Sequence, residues 1–300
     1  MSVSWGSIRV EDLIGPVNGT LLSGPVEKRP AGLGTDSRSI RAGELFWCLT
    51  GENFDGHDFL ADAIEKGACA AVVQHDRFSR EMTFTRHEAG RSGSGSKEPA
   101  IIAVDDSLKA LGDLARWWRK NHSAGVLAVT GSSGKTTAKE MSASILSVEG
   151  NVLKSRGNYN NLIGLPLTIF DLCEAHDKVV LEMGMNRPGE IGRLTEIADP
   201  DAGLILNVGM AHLEGLGDIR GVAEAKTEML SKMSGKAIPI INRDDSLLFE
   251  TAVSIRKDLI TFGMGRKNDF RATNVKDFGT GGLSFDLHPV SYTHLRAHET

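Results

Sequence analysis

The sequence has little cysteine, no long apolar run and no surplus of positive charge, and each shortage removes a class of protein. Cys48, Cys69 and Cys173 stand far apart without a CxxC pair, so neither a disulfide framework nor a thiolate metal site organises the chain. The opening residues lack the basic, apolar and small-residue succession of a secretion signal, and together these features lead us to expect a reducing, cytoplasmic setting. The longest apolar stretches, such as Ala202 to Leu206, fall far short of the roughly 20 residues that cross a bilayer. Lys and Arg number 34 against 39 Asp and Glu, for a formal net charge of -5, so the bulk electrostatics ask for neither nucleic acid nor an anionic membrane. No segment recurs at a fixed period. What is left is an ordinary globular composition, 40% hydrophobic and 24% charged over 300 residues, enough for two domains.

The most informative stretch is Val126 to Thr137, Val-Leu-Ala-Val-Thr-Gly-Ser-Ser-Gly-Lys-Thr-Thr. An apolar strand meets a glycine turn that opens a helix, whose N-terminus presents unpaired N–H groups and partial positive charge to a phosphate. Gly131, Ser132, Ser133, Gly134, Lys135, Thr136 and Thr137 are therefore candidate ATP-binding residues, with Lys135 supplying charge and Thr136 a hydroxyl for Mg2+. The loop is a short variant of the common phosphate-loop pattern, whose first glycine would fall on Val129.

Upstream, Glu44 to Leu49 reads as a strand, Gly51 to His57 as a loop, Phe59, Ala63 and Lys66 as one face of a helix that Gly67 ends, and Cys69 to Val73 as a buried strand. Arg86 to Pro99, with three glycines and three serines, reads as a mobile surface loop. Ile101 to Val104 resumes as a strand, and Asp106 or Ser107 can cap a helix whose apolar positions are Leu108, Leu111, Leu114, Ala115 and Trp118. A domain boundary is expected near Asp105.

Beyond Gly125 the order strand, loop, helix repeats, the mark of an α/β domain built on a parallel sheet. The helix after the phosphate loop is expected to bury Ala138, Met141, Ile145 and Val148. Strands Val179 to Leu181, Gly203 to Leu206 and Ala237 to Ile241 lead into Glu182, Asn207 with His212 beyond it, and Asn242. All of these sit at carboxyl strand ends, the edge where open parallel sheets bind ligands. Glu182 could hold magnesium, cap a helix or pair with arginine; His212 is an unusual ligand for that metal. From Asp218 a helix carries Ile219, Val222, Ala223, Met229, Leu230 and Met233 on one stripe, with Lys226 in its middle. A lysine there must be paired, neutral or modified, or else snorkel to water, and spacing alone favours snorkelling. Gly157 to Asn161 combines glycine with amides and reads as a turn that could also meet anionic oxygens.

Taken together, Asp36-Ser-Arg38, Leu45-Phe-Trp-Cys-Leu-Thr-Gly51 with Asp55-Gly-His57, Thr130 to Thr137, Gly157-Asn-Tyr-Asn-Asn161, Glu182-Met-Gly-Met-Asn-Arg-Pro-Gly-Glu190, Ala211-His-Leu-Glu214, Ala225-Lys226 and Asn242-Arg-Asp-Asp245 resemble the Mur ligases, which form amide bonds of peptidoglycan precursors with ATP. The Gly157 and Glu182 segments resemble the branch that joins D-alanyl-D-alanine to a UDP-N-acetylmuramoyl-tripeptide. The resemblance implies a small N-terminal α/β domain over residues 1–105 for the UDP end of the substrate, a parallel-sheet ATPase domain over 106–289, and a Rossmann-like C-terminal domain. It implies a monomer in the cytoplasm with ATP and Mg2+, and a stem-peptide carboxylate activated as an acyl phosphate that an amine attacks. Carried over by motif, Lys135 would grip the β and γ phosphates, Thr136, Glu182 and His212 would bind metal, and Asn158 would steady the phosphoryl group. Asn242 would meet adenine, Ser37 and Arg38 the UDP moiety, and Lys226 would be carbamylated, its anion orienting magnesium. The resemblance ends near Pro289, and residues 290–300 read as a foreign tail, so the chain is expected to lack the third domain and to turn over little. The competing expectations are a non-catalytic nucleotide- or UDP-sugar-binding fragment, the Mur ligase that adds the third stem-peptide residue, and a phosphate-loop kinase.

Overall fold

The computed structural model describes residues 3–51, 54–79, 98–210 and 217–289. The chain divides into two compact units, Met1–Ser123 with Pro166–Ala175, and Ala124–Leu165 with His176–Thr300.

The first unit contains α1 (Val10–Ile14), β1 (Thr20–Ser23), β2 (Leu33–Gly34), β3 (Leu45–Trp47), α2 (Leu60–Glu65), β4 (Ala70–Gln74), β5 (Ala100–Val104) and α3 (Ser107–Lys120). Its strands lie in the order β1-β5-β4-β3-β2, with β1 antiparallel and the other pairs parallel. Strands β3 and β5 are buried at every position, as expected of parallel strands covered on both faces. Phe46 packs on one side with Leu60, Ala63, Val73 and Ile101, while the Trp47 indole N–H donates to the Ser107 carbonyl at 2.9 Å. Helix α3 is capped by the Asp106 side chain, which accepts from Lys109 N–H, and it buries Leu111, Leu114, Ala115 and Trp118; Leu108 is half exposed. Because α3 belongs to this packing, the division falls at Ser123, not near Asp105. The sequence marks where a strand ends, whereas the boundary depends on which sheet the next helix covers. Most of the stretch from Arg86 to Pro99 lies outside the described residues.

The second unit follows with β6 (Gly125–Thr130), α4 (Lys135–Leu146), β7 (Val152–Lys154), α5 (Gly164–Phe170), in which the chain passes to the first unit, β8 (Lys178–Glu182), α6 (Glu190–Ala198), β9 (Ala202–Ile205), α7 (Ile219–Lys232), β10 (Ile238–Asn242), α8 (Ser246–Ile255), β11 (Ile260–Gly263), β12 (Phe270–Asp277) and β13 (Leu283–Pro289). The described strands form one sheet in the order β13-β12-β11-β10-β9-β6-β8-β7, parallel except for the final hairpin β12–β13. Alternation along β9 assigns the two faces. Leu204 joins Val129, Val180, Ala138 and Ala143 in the core beneath α4. Gly203 abuts α7 so closely that a methyl group there would lie 2.6 Å from the Met233 sulfur.

Helix α4 is rotated away from the expected orientation. Met141, Ile145 and Val148 are exposed, and only Ala138 of the expected set turns inward, half-buried. Lys139 and Ala143 are the buried positions. Thr136 and Lys139 both reach inward to polar groups at the sheet edge, and positions three or four residues further on share that face. The rotation is therefore set by phosphate-loop chemistry, overriding the apolar stripe.

Candidate active site

In the sheet order β10-β9-β6-β8, four parallel strands are neighbours, so their carboxyl ends bring Asn242, Asn207, the phosphate loop and Glu182 to one edge. The loop needs glycine at two points. A side chain at Gly131 would press to 2.9 Å from Leu206 Cβ, and Gly134, preceding α4, has φ 78°, a left-handed conformation that costs a glycine little. Lys135 Nζ donates to Gly131 O at 2.9 Å, curling the ammonium over its own loop, and the first-turn N–H groups of α4 have no carbonyl four residues back to bond.

Glu182 is buried at the end of β8. Its Oε2 accepts from Thr136 Oγ1 at 3.0 Å and its Oε1 from Asn160 Nδ2 at 2.9 Å. Its backbone N–H donates to Ser155 Oγ at 3.1 Å. Lys139 supplies a buried countercharge, 3.9 Å from Glu182 Oε2, while donating to the Ser155 carbonyl at 2.9 Å and pairing with Glu140 at 3.1 Å. A buried carboxylate is tolerated when hydrogen-bonded and compensated in this way. Sequence reasoning missed Asn160, Ser155 and Lys139. Position i+4 from Lys135 was the available signal for Lys139, hidden because an apolar stripe was read as the inner face.

The structure leaves Asn158 exposed, with its carbonyl accepting from Asn160 N–H at 2.8 Å. It is Asn160 that reaches Glu182, while Asn161 Oδ1 accepts from Gly164 N–H at 2.8 Å at the start of α5. His212 and the rest of Ala211 to Glu214 lie outside the described residues.

Lys226 is buried on the inner face of α7 among Val222, Ala223, Met229 and Leu230. It makes no hydrogen bond or ion pair among the described residues. Burial, with a smaller contribution from the Lys135 charge, lowers its pKa from the ordinary 10.5 to about 8. Lys226 is only 2% exposed, so it does not snorkel. A primary amine that is substantially neutral near pH 8 is nucleophilic.

Beside the loop, Asn242 closes β10, its side-chain oxygen accepting from Asp244 N–H at 3.0 Å. Asp245 caps α8 by accepting from Leu248 N–H at 3.0 Å, and also accepts from Val208 N–H at 2.7 Å. Asp245→Ala is expected to cost about 1–2 kcal/mol of stability, the scale of a lost cap, with Asp245→Asn recovering most of it in urea titrations; an unchanged midpoint would show the cap to be idle.

The first unit carries its own candidates. Arg38 is exposed and forks onto Asp36, Nη2 to Oδ2 at 2.7 Å, and this hydrogen bonding holds the Asp36 carboxyl at about 2. Ser37 is buried, its carbonyl accepting from Lys66 Nζ at 2.9 Å. His57, also buried, accepts at Nε2 from Gln74 N–H at 2.8 Å, so Nδ1 carries the proton that faces Asp55. Asp55-Gly-His57 thereby fastens the loop after β3 to β4.

Two family models match the chain, the Mur ligase middle domain over residues 129–298 and the Mur ligase family catalytic domain over residues 30–119. The chain belongs to the Mur ligase family. Among curated Mur ligases, the UDP-N-acetylmuramoyl-tripeptide--D-alanyl-D-alanine ligase of Synechocystis sp. is 42% identical over 262 residues, 87% of this chain and 54% of that protein. The enzyme of the same name from Escherichia coli is 40% identical over 243 residues, 80% of this chain and 50% of its own length. Among solved structures, MurF from Acinetobacter baumannii superposes with a TM-score of 0.78 at 31% identity, covering 93% of this chain and 60% of that one. MurF from Thermotoga maritima in complex with ADP superposes at 0.71 with 32% identity, covering 85% and 55%. This Mur ligase chain thus spans about half the length of the curated relatives it matches. The middle-domain match takes in the phosphate loop, Glu182, Lys226 and Asn242, and it runs to residue 298, past Pro289 where the sequence resemblance was placed at an end.

Proposed function

We propose that the protein is an ATP-dependent amide ligase that joins D-alanyl-D-alanine to a UDP-N-acetylmuramoyl-tripeptide in the cytoplasm. The observation that carries this reading is one sheet edge on which a phosphate loop, a buried carboxylate bonded to the loop threonine, and a buried unpaired lysine converge. The names of the relatives supply the two substrates, and the ADP complex of the Thermotoga maritima neighbour supports nucleotide binding.

A carboxylate is a poor electrophile, and phosphorylation by ATP turns its oxygen into a leaving group that an amine can displace. The protein's work is positioning and charge stabilisation, with no protein nucleophile required. In this reading the α4 N-terminus and Lys135 hold the β and γ phosphates, Asn160 and Lys139 keep Glu182 in place, and Asn242 lies on the base side. Among the described residues no three His, Cys, Asp or Glu side chains converge, yet the donors at the edge, Thr136 hydroxyl and Glu182 carboxylate, are the hard oxygens that suit Mg2+. Carbamylation of Lys226 would add a third oxygen donor, and its desolvated amine fits that modification. When bound, Mg2+ would neutralise phosphate charge during transfer. In the first unit, Ser37 and Arg38 are assigned to the UDP moiety.

The test is a coupled assay of the natural full-length protein with ATP, the UDP-muramoyl tripeptide and either D-alanyl-D-alanine or a single third-residue amino acid. ADP and phosphate release that depends on the dipeptide is the expected result; release with the single amino acid on a dipeptide substrate would move the protein to another branch of the family. Arg38→Ala should raise the KM for the UDP substrate about tenfold, the scale of one charge-assisted contact, and leave the KM for ATP unchanged.

A further inference from the structure

The loop that follows β9 is bonded to the phosphate loop more extensively than a neighbouring strand requires. Leu206 N–H donates to Thr130 O at 2.9 Å, and Ser132 N–H to Asn207 O at 3.1 Å, so the β6–β9 ladder continues past both strand ends. The Asn207 side chain then adds what amounts to one more peptide pair: Oδ1 accepts from Ser133 N–H at 2.9 Å and Nδ2 donates to Ser133 O at 3.1 Å. Ser132 Oγ and Gly209 exchange two further bonds, 2.8 Å from Gly209 N–H and 3.2 Å to Gly209 O. Val208, between them, is held by the Asp245 cap.

We propose that Asn207 is a positioning residue that clamps the phosphate loop in its binding shape before the nucleotide arrives. The argument is entropic and geometric. A four-residue Gly-Ser-Ser-Gly turn has many conformations to lose, and a loop ordered only on binding subtracts that loss from its affinity. The Asn207 side-chain amide orders Ser133 in the free protein; with the Ser133 N–H held by that amide and the Ser132 N–H by the Asn207 backbone carbonyl, phosphate is directed to the N–H groups that α4 leaves unpaired. Aspartate in its place would keep the acceptor and lose the donor, and only an amide satisfies both Ser133 groups at once. Asn207 touches neither the reacting atoms nor, in this arrangement, the phosphates; it acts through Ser133. The inference rests on the nucleotide reading above.

The clamp predicts a loss confined to phosphate recognition. Asn207→Ala in the 300-residue chain is expected to weaken ADP about tenfold, the value of one to two hydrogen bonds, while adenosine binding changes less than twofold. A merely structural role would weaken both alike, and equal loss, or none, overturns the proposal. Amide hydrogen exchange on the nucleotide-free wild-type chain decides the case even if the variant does not fold. Ser133 is exposed, so protection of its N–H reports the bond to Asn207 and not burial. Exchange at the unprotected rate overturns the clamp; protection in the wild type, with at least tenfold faster exchange in a folded variant, supports it. A wild-type chain that binds no ADP but protects Ser133 would defeat the nucleotide reading while leaving the clamp intact.

Discussion

Replacing Lys135 by alanine is expected to lower turnover of the full-length protein at least about a hundredfold, the scale of losing one strong electrostatic donor at a site of developing charge. The effect should be large because Lys135 combines two roles in one place. It is the first residue of α4, where the helix N-terminus already favours anions, and its ammonium lies within the loop, at Gly131 O, ready to exchange that weak contact for a phosphate oxygen. Lys135→Arg should recover little, since a planar fork cannot take the position of a compact ammonium inside a four-residue turn. Stability should change far less than turnover, because the Gly131 contact is replaceable by water. The measurement is phosphate release coupled to amide formation beside a urea titration; near-normal turnover in the alanine variant would remove ATP chemistry from this edge.

The second large effect is at Lys226. Turnover of Lys226→Ala should fall by about a hundredfold or more, with partial recovery when a short carboxylate such as formate or acetate is added to stand for the carbamate. Unchanged activity, or loss that no carboxylate repairs, rejects the modification. The amine also has a pH signature independent of activity. Its pKa is lower in the folded chain, about 8, than the ordinary 10.5, so between those values the unfolded chain holds the proton that the folded chain has released. Stability therefore rises with pH across that window. Lys226→Met should abolish the rise and, by removing a buried amine, stabilise the fold near pH 7. In wild-type protein supplied with labelled carbon dioxide, carbamate should increase as pH rises through about 8, following the neutral amine.

The legibility of this chain divides by the range of the forces involved. Local pattern was enough for the strands from Glu44 to Leu49, Cys69 to Val73, Ile101 to Val104 and Val179 to Leu181, because each is a short apolar run bounded by turn residues and parallel strands are buried on both faces. It narrowed one cap to Asp106 or Ser107 and started another helix at Asp218; the structure caps both helices with the aspartates, whose side chains accept from N–H groups three residues on. It placed Lys135, Thr136, Glu182 and Asn242 at one edge because the strand-helix alternation dictates a parallel sheet with its carboxyl ends together. The hairpin β12–β13, mostly exposed, offered no such apolar run and was not foreseen.

Tertiary structure alone decided which partners those residues meet. Spacing favours a snorkelling Lys226, but the stripe around it, from Val222 to Met233, is buried, so the amine is left desolvated. The apolar residues Met141, Ile145 and Val148 promised one rotation of α4, and the polar bonds of Thr136 and Lys139 imposed another. Asn160 reaches Glu182 across 22 residues of chain and Asn207 joins Ser133 across 74; no local period encodes such pairings. The sequence by itself determined the strongly patterned strands and helices, the edge and the family, because these follow from short-range patterning and motif order. The hydrogen-bonded shell around Glu182, the clamp on the phosphate loop and the neutral amine on α7 depend on burial and on contacts distant in sequence, which only the folded chain creates.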